Sequence, residues 1–417
     1  MAFYTPNKVK TEIIDPHYYS ANERVEFRLD RGTLMNNIKL VNLGVVCAGN
    51  PFYNEDAGVL SVIKNIHLYD GKVVLQSQEK ANLRYAFQNA MNSNTYNGNV
   101  DRYMKLHSQG YTIAGSLANG KAVVSLGDAI NSNVPAVDTV GNAKKGSVWI
   151  GELLPIVKVL NCLPSSVFKQ LRLVIEFESD VRNILSKDNQ VQTTIKPVLV
   201  VDRIIDQQAE SQEIAKLGNA TFMNYEWTQL NMPANAGGTQ EVNRKVMAYN
   251  NKTLHRLRLI MNYADKTKYV NANNILFRGI VGSSVNVRNR AVQYRVNGAN
   301  LLPRSNIKGD MRRLALLNDT YGVINMTPEM PTSLANETTQ NGAVILDNDD
   351  ENIGSKDFDG VYVGQVIEDL QLFIQREHIT DTSNPSRYND NLTIQIEGEV
   401  EKTIQFGNGG YNVGYVA

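Results

Sequence analysis

Cysteine is nearly absent from this 417-residue chain, where Cys47 and Cys162 stand far apart with no paired spacing. That excludes a disulfide framework or a zinc module and suits a reducing compartment. Both are expected to behave as small buried hydrophobes. A surplus of either charge is missing too, since 42 basic residues face 42 acidic ones. A protein that coats nucleic acid or lies on an anionic membrane needs a basic excess, so bulk electrostatic recognition is not expected. No stretch approaches the roughly 18 uninterrupted apolar residues of a membrane-spanning helix. Residues 1–20 also lack the apolar core of a secretion signal.

Residues that carry chemistry are equally sparse. The five histidines, His17, His67, His107, His255 and His378, are scattered, and no His-Glu-x-x-His helix holds a metal. There is no Gly-x-Ser-x-Gly elbow and no phosphate-cradling Gly-x-x-x-x-Gly-Lys loop. The acidic run from Asp347 to Gly354 has Asn352 where a calcium loop needs its sixth-position glycine, so it reads as a solvated loop. Arg288, Arg290 and Arg295 beside Tyr294 make a basic stretch with an aromatic, but their spacing is that of a polar sheet face. No catalytic, cofactor or metal site and no specific nucleic-acid partner is therefore expected. Paired carboxylates of a β-rich glycoside hydrolase converge in space rather than in sequence and stay an open alternative.

Asparagine is what the chain has in plenty, in settings such as Asn97-Gly98, Asn297-Gly298 and Asn341-Gly342. Its side chain competes with the backbone for hydrogen bonds, which favours turns. Between the turns, apolar and polar residues alternate with the period of half-buried strands. The clearest run is Val167 to Glu178, with Val167, Leu171, Leu173 and Ile175 on one face. Further strands are predicted over 24–29, 38–46, 62–69, 194–201, 225–230, 254–261, 285–296, 362–374 and 392–404. Helical patterns are short, over 78–91, 207–217 and 310–317. An all-β architecture with short helical insertions follows.

The chain also repeats itself. Residues 167–205 align without gaps on 366–404, with 9 identities in 39 positions at a constant offset of 199. The strand-turn-strand from Ser61 through Gly71 is matched by that from Ser284 through Gly298, where Asp-Gly and Asn-Gly supply the positive φ of tight hairpins. Glu26-Phe27 is echoed weakly by Glu226-Trp227. The first half carries the longer excursion, filled by the Gly- and Ser-rich run 110–146, which reads as surface loop. Two tandem eight-stranded jelly rolls, each a Greek-key β-sandwich, match this size. The expected organisation is an arm over 1–20, a first jelly roll over 21–205, a connector over 206–220, a second jelly roll over 221–405 and a tail over 406–417. Phe3, Tyr4, Tyr18 and Tyr19 in the arm, and the aromatics of the glycine-rich tail, are candidate anchors for a neighbouring surface.

The duplicated unit, its closing Leu163-Pro-Ser-Ser-Val-Phe168 strand and the Asp/Asn-Gly turns resemble the double-jelly-roll major capsid proteins of the adenovirus-hexon, virophage and polinton-like virus lineage. The resemblance covers roughly residues 21–405. It implies a structural virion protein that trimerises into pseudo-hexagonal capsomers tiling an icosahedral shell. Its implied partners are neighbouring capsomers, penton and minor capsid proteins, with assembly in the cytoplasm or nucleus of a host. Whether a membrane lies beneath the shell is not implied either way. The shorter inter-strand excursions leave no room for an extended tower. The competing reading is a carbohydrate- or receptor-binding β-sandwich of a virion, which would need exposed Trp or Tyr on a concave patch. Only Trp149 and Trp227 are present, both in apolar contexts.

Overall fold

The computed structural model describes residues 8–47, 57–85, 146–184, 192–264, 290–301, 358–378, 389, 391–407 and 410–417. Its strands are, in order, β1 (Val9–Ile14), β2 (Tyr18–Ser20), β3 (Arg24–Arg28), β4 (Thr33–Leu43), β5 (Val45–Cys47), β6 (Ile63–Asp70), β7 (Val73–Gln78), β8 (Gly146–Trp149), β9 (Cys162–Pro164), β10 (Leu171–Phe177), β11 (Gln192–Thr194) and β12 (Val198–Ile204). After the helix Gln207–Ala215 come β13 (Ala220–Met232), β14 (Thr239–Lys245), β15 (Thr253–Tyr263), β16 (Arg290–Val296), β17 (Ala299–Asn300), β18 (Phe358–Val366), β19 (Leu370–Glu377), β20 (Leu392–Gly407) and β21 (Gly410–Tyr415). The chain divides into two compact units. Unit 1 draws on residues up to Asn224 together with Lys402–Tyr415, and unit 2 on Tyr225–Glu401 with Val416–Ala417.

In unit 1 one sheet has the order β1-β12-β4-β8 and the other β2-β3-β10-β6-β7. In unit 2 the corresponding orders are β13-β20-β15-β18 and β14-β19-β16-β17. Eight strands thus have counterparts in the same chain order, and the two units are jelly rolls of one topology. Each sheet turns one face inward because alternate residues are aliphatic. In β10, Leu171, Leu173, Ile175 and Phe177 are buried, while Arg172 is exposed. In β19, at an offset of 199, Leu370, Leu372 and Ile374 play the same part in the second core.

Several expected boundaries move, each for a local reason. Residues 165–167 form a turn, closed by the Val167 and Phe168 N–H groups donating to the Pro164 carbonyl, and Lys169 and Gln170 form another, so the strand begins at Leu171. The stretch 362–374 is two strands in two different sheets, separated after Val366. The stretch 194–201 is divided between β11 and β12, with Pro197, which has no N–H to donate, in the gap. The 38–46 segment breaks at Gly44, between β4 and β5. Of the helix expected over 78–91, residues 81–85 are helical. The remainder of that segment, the loop run 110–145 and the helix over 310–317 lie outside the described residues.

The duplication is visible in pairing. Val25 lies opposite Ile175, and Val242 lies opposite Ile374, so the counterpart of Glu26-Phe27 is Asn243-Arg244 and not Glu226-Trp227. Glu226 and Trp227 belong to β13, the counterpart of β1. The hairpins match with a shift of one residue. Asn297 and Gly298 both have positive φ, at 49° and 83°, whereas in the first hairpin only Gly71 does, at 58°. Both hairpins still use one side chain the same way: Asp70 Oδ1 accepts from Gln170 N–H at 2.6 Å, and Asn297 Oδ1 from Asp369 N–H at 3.1 Å.

Asparagine side chains also tie strand ends in both units, at positions that are not equivalent. Asn22, at a φ of 62°, accepts from Thr194 N–H, donates through Nδ2 to the Gln192 carbonyl, and donates its own N–H to Thr194 Oγ1. In unit 2, Asn391 Oδ1 accepts from Ala234 N–H at 2.7 Å. Asn22→Ala removes two of the three bonds and places a non-Asn side chain at positive φ, so it is expected to destabilise unit 1 by about 2 kcal/mol. Urea unfolding followed by Trp149 fluorescence measures this, and a loss under about 0.5 kcal/mol would show the clip to be unimportant.

Candidate assembly surfaces

The aromatic residues expected to form an arm do not share one fate. Phe3 and Tyr4 lie outside the described residues. Tyr18 and Tyr19 belong to β2, which is already an edge strand of unit 1. Tyr19 turns inward, its ring edge-on to Phe177 at 6.3 Å and its hydroxyl donating to the Thr194 carbonyl. Tyr18 stays outside, with the Arg24 guanidinium 5.0 Å from its ring centroid. The reason is alternation: neighbouring residues on a strand face opposite ways, so one tyrosine of the pair enters the core edge. Val9–Ile14 and Tyr18–Ser20 of the expected arm are therefore sheet, and residues 1–7 lie outside the described residues.

The tail is also structured. β21 pairs with residues 402–407 of β20, and Tyr411 packs 5.0 Å from Phe168, with Phe406 6.2 Å from the same ring. The Tyr411 hydroxyl donates to Asp70 Oδ2 at 2.7 Å. Burial raises its pKa, and the Asp70 carboxylate raises it further. The aromatic spacing of the tail was the sequence signal for this cluster. Its target, Phe168, was not legible.

The scattered reactive residues stay apart. Cys162 is fully buried, and burial pushes its thiol up to about 12, helped by the Glu213 and Glu210 carboxylates. Cys47 ends β5. His67 meets Ser77 Oγ through Nδ1 at 2.7 Å, and burial lowers its pKa. His255 meets Glu401 at 3.0 Å. Among the described residues no three His, Cys, Asp or Glu side chains are grouped to hold a metal ion. The acidic run 347–354 and Arg288 lie outside the described residues. Tyr294 is fully buried in unit 2, while Arg295 donates through Nε to the Gly298 carbonyl, so the two do not form a joint stacking surface. Trp149 donates to the Asn36 carbonyl at 2.7 Å and packs on Gly151, which makes it part of unit 1 rather than a platform for a sugar.

One buried polar cluster was not revealed by the sequence. On the face of β15 and β20 opposite the apolar core of unit 2, Arg258 meets Glu397 at 2.7 Å and Glu399 at 2.9 Å, and Arg256 lies 3.4 Å from Glu399. Arg258–Glu397 and Arg256–Glu399 are directly opposite pairs in the β15–β20 register, and Arg258–Glu399 is the diagonal between them. Glu397 is 1% exposed and Arg258 8%. At the equivalent positions of unit 1 stand Val198 and Val200, the latter opposite Lys39 and Ile13. The copies share topology but not surface chemistry, and Ile13 is 69% exposed.

Two like-ordered eight-stranded sandwiches in one chain define a double-jelly-roll protein. No protein-family model matches the chain, and a search of curated proteins finds no match. Solved structures do. The chain is similar to PBCV-1 VP54, as fitted into a cryo-EM reconstruction of the virophage Sputnik, at a TM-score of 0.60 and 11% identity, covering 100% of this chain and 99% of that one. It is similar to the mavirus major capsid protein at a TM-score of 0.57 and 8% identity, covering 100% and 91%. It is also similar to a chain of the Sputnik virophage structure at a TM-score of 0.55 and 10% identity, covering 100% and 90%. At these identities the likeness is one of fold, and the fold is the double jelly roll of major capsid proteins.

Proposed function

We propose that this chain is a major capsid protein of a DNA virus, three copies of which form a pseudo-hexagonal capsomer that tiles an icosahedral shell. One observation carries the reading: the described residues form a duplicated jelly roll, and the likeness to the mavirus major capsid protein and to a Sputnik virophage chain covers 100% of this chain. Three copies of a chain with two like units present six like faces, and closed threefold symmetry satisfies the contacts within the capsomer. A net charge of zero avoids long-range repulsion among many copies. The role is structural rather than catalytic. Its location is the virion, after assembly in a reducing host compartment. Neighbouring capsomers, penton and minor capsid proteins are the partners it requires.

Light scattering across a concentration series tests this. A stable species at three times the 46.5 kDa chain mass is expected. A persistent monomer would overturn the reading. Phe3 and Tyr4, ahead of β1, remain the proposed anchors to a neighbour or an internal component. Deleting residues 1–7 spares every described strand and is expected to leave the trimer but impair shell formation. Unimpaired shells would sink that part.

A further inference from the structure

Strand β1 ends its sheet, and among the described residues nothing pairs with its outer edge. The N–H of Ile205 donates to the Lys8 carbonyl at 3.0 Å, and these residues continue the register in which Val9 faces Ile204. In an antiparallel ladder each residue directs both its N–H and its C=O to the same side, alternating along the strand. Lys8, Lys10, Glu12 and Ile14 therefore bond to β12, and Val9, Thr11 and Ile13 turn six backbone groups outward. An unprotected edge of this kind is a template for another strand.

The edge is complementary to itself. If two copies meet antiparallel about a two-fold axis at Thr11, Thr11 pairs with Thr11, and Val9 with Ile13, so all six outward groups on each copy bond. Lys10 then lies opposite Glu12 of the second copy, and Glu12 opposite its Lys10. Shifting the axis to residue 10 sets lysine against lysine, and to residue 12 glutamate against glutamate, both unfavourable. Ile13, 69% exposed on the solvent face beside Val200, gains an aliphatic neighbour in Val9.

We propose that β1 is an isologous docking edge, joining two copies of this chain into a continuous sheet across a two-fold centred on Thr11. It goes beyond the capsid reading and rests on it only for its use, which is to link one capsomer to the next.

The test is a register-specific cross-link in the full-length protein, with the unsubstituted chain, carrying Cys47 and Cys162, as control. Facing residues of a bonded antiparallel pair have Cα atoms about 5.5 Å apart, within disulfide range. Thr11→Cys is expected to give a covalent dimer on a non-reducing gel after mild oxidation. Val9→Cys is expected not to, because the two Val9 residues lie about 14 Å apart along the strands. Equal cross-linking of both variants, or of neither, overturns the proposal. Thr11→Pro supplies a second measurement: it removes an N–H that β12 does not use and one exposed side-chain bond, from Thr11 Oγ1 to Asp202 Oδ1 at 2.7 Å, so thermal unfolding should shift little while association between capsomers weakens at least tenfold. Unweakened association would also overturn it. Light scattering under reducing conditions reports the trimer separately, so failure of the edge contact and failure of the capsid reading give different results.

Discussion

Gly398→Ala is expected to cost unit 2 about 3 to 5 kcal/mol and to leave it unfolded at temperatures where unit 1 persists. Gly398 faces the core in the middle of β20. A methyl group there would lie within the ring of Tyr249, closest to its Cε1 and Cζ atoms. That ring is fully buried, and its hydroxyl lies 3.1 Å from both the Glu226 and the Ile396 carbonyl oxygens. Burial holds the phenol far above its usual pKa, with the Glu397 and Glu226 carboxylates adding to the shift, so it stays a neutral donor. To admit the methyl, Tyr249 must leave its site, abandoning both packing and hydrogen bonding. Trp149 belongs to unit 1 and Trp227 to unit 2, so Trp149→Phe and Trp227→Phe backgrounds read the two units separately by fluorescence. A midpoint change in the Trp227 signal equivalent to under about 1 kcal/mol would contradict the account. Tyr249→Leu should recover part of the loss when combined with Gly398→Ala, because the two side chains compete for one volume.

Arg258→Met is the second large effect, expected at about 3 to 5 kcal/mol. The substitution keeps most of the volume but strands Glu397, which is 1% exposed, without its 2.7 Å partner. Glu399 retains Arg256. The cost therefore arises from a buried carboxylate that loses its guanidinium, not from lost packing. Adding Glu397→Leu should restore most of the stability, since replacing both members of a buried pair by apolar groups is often neutral. If the double variant is no more stable than the single one, the ion pair is not the cause. Chemical unfolding of the three proteins, read through Trp227, decides between these outcomes.

Much of the fold was legible because strand alternation is a local property. Val25 and Phe27, or Leu171 to Phe177, announce a one-sided strand without reference to any partner. The constant offset of 199 carried the duplication, and the correspondence of β10 with β19 follows it. The hairpins were legible because positive φ at Gly71, Asn297 and Gly298 is a property of the residues themselves. Boundaries were less so. Whether the stretch 362–374 is one strand or two depends on which sheet each half joins, and nothing within the thirteen residues decides that.

The candidate surfaces divide the same way. Aromatic spacing marked both chain ends, yet Tyr18 and Tyr19 differ only in the face they present once β2 has paired with β3. The charges of β15 and β20 were visible in sequence, but their match was not. Arg258 neutralises Glu397 because the register sets them opposite each other, and a shift of one residue would turn every side chain to the other face.

The all-β class and the duplication were already written in the amino-acid sequence, because period and turn chemistry act over a few residues. Tertiary structure alone decided which tyrosine is buried, which carboxylates are sealed under arginine, and which strand is left with an unpaired edge. Those are consequences of register and sheet order, and both are fixed by contacts between residues more than a hundred positions apart.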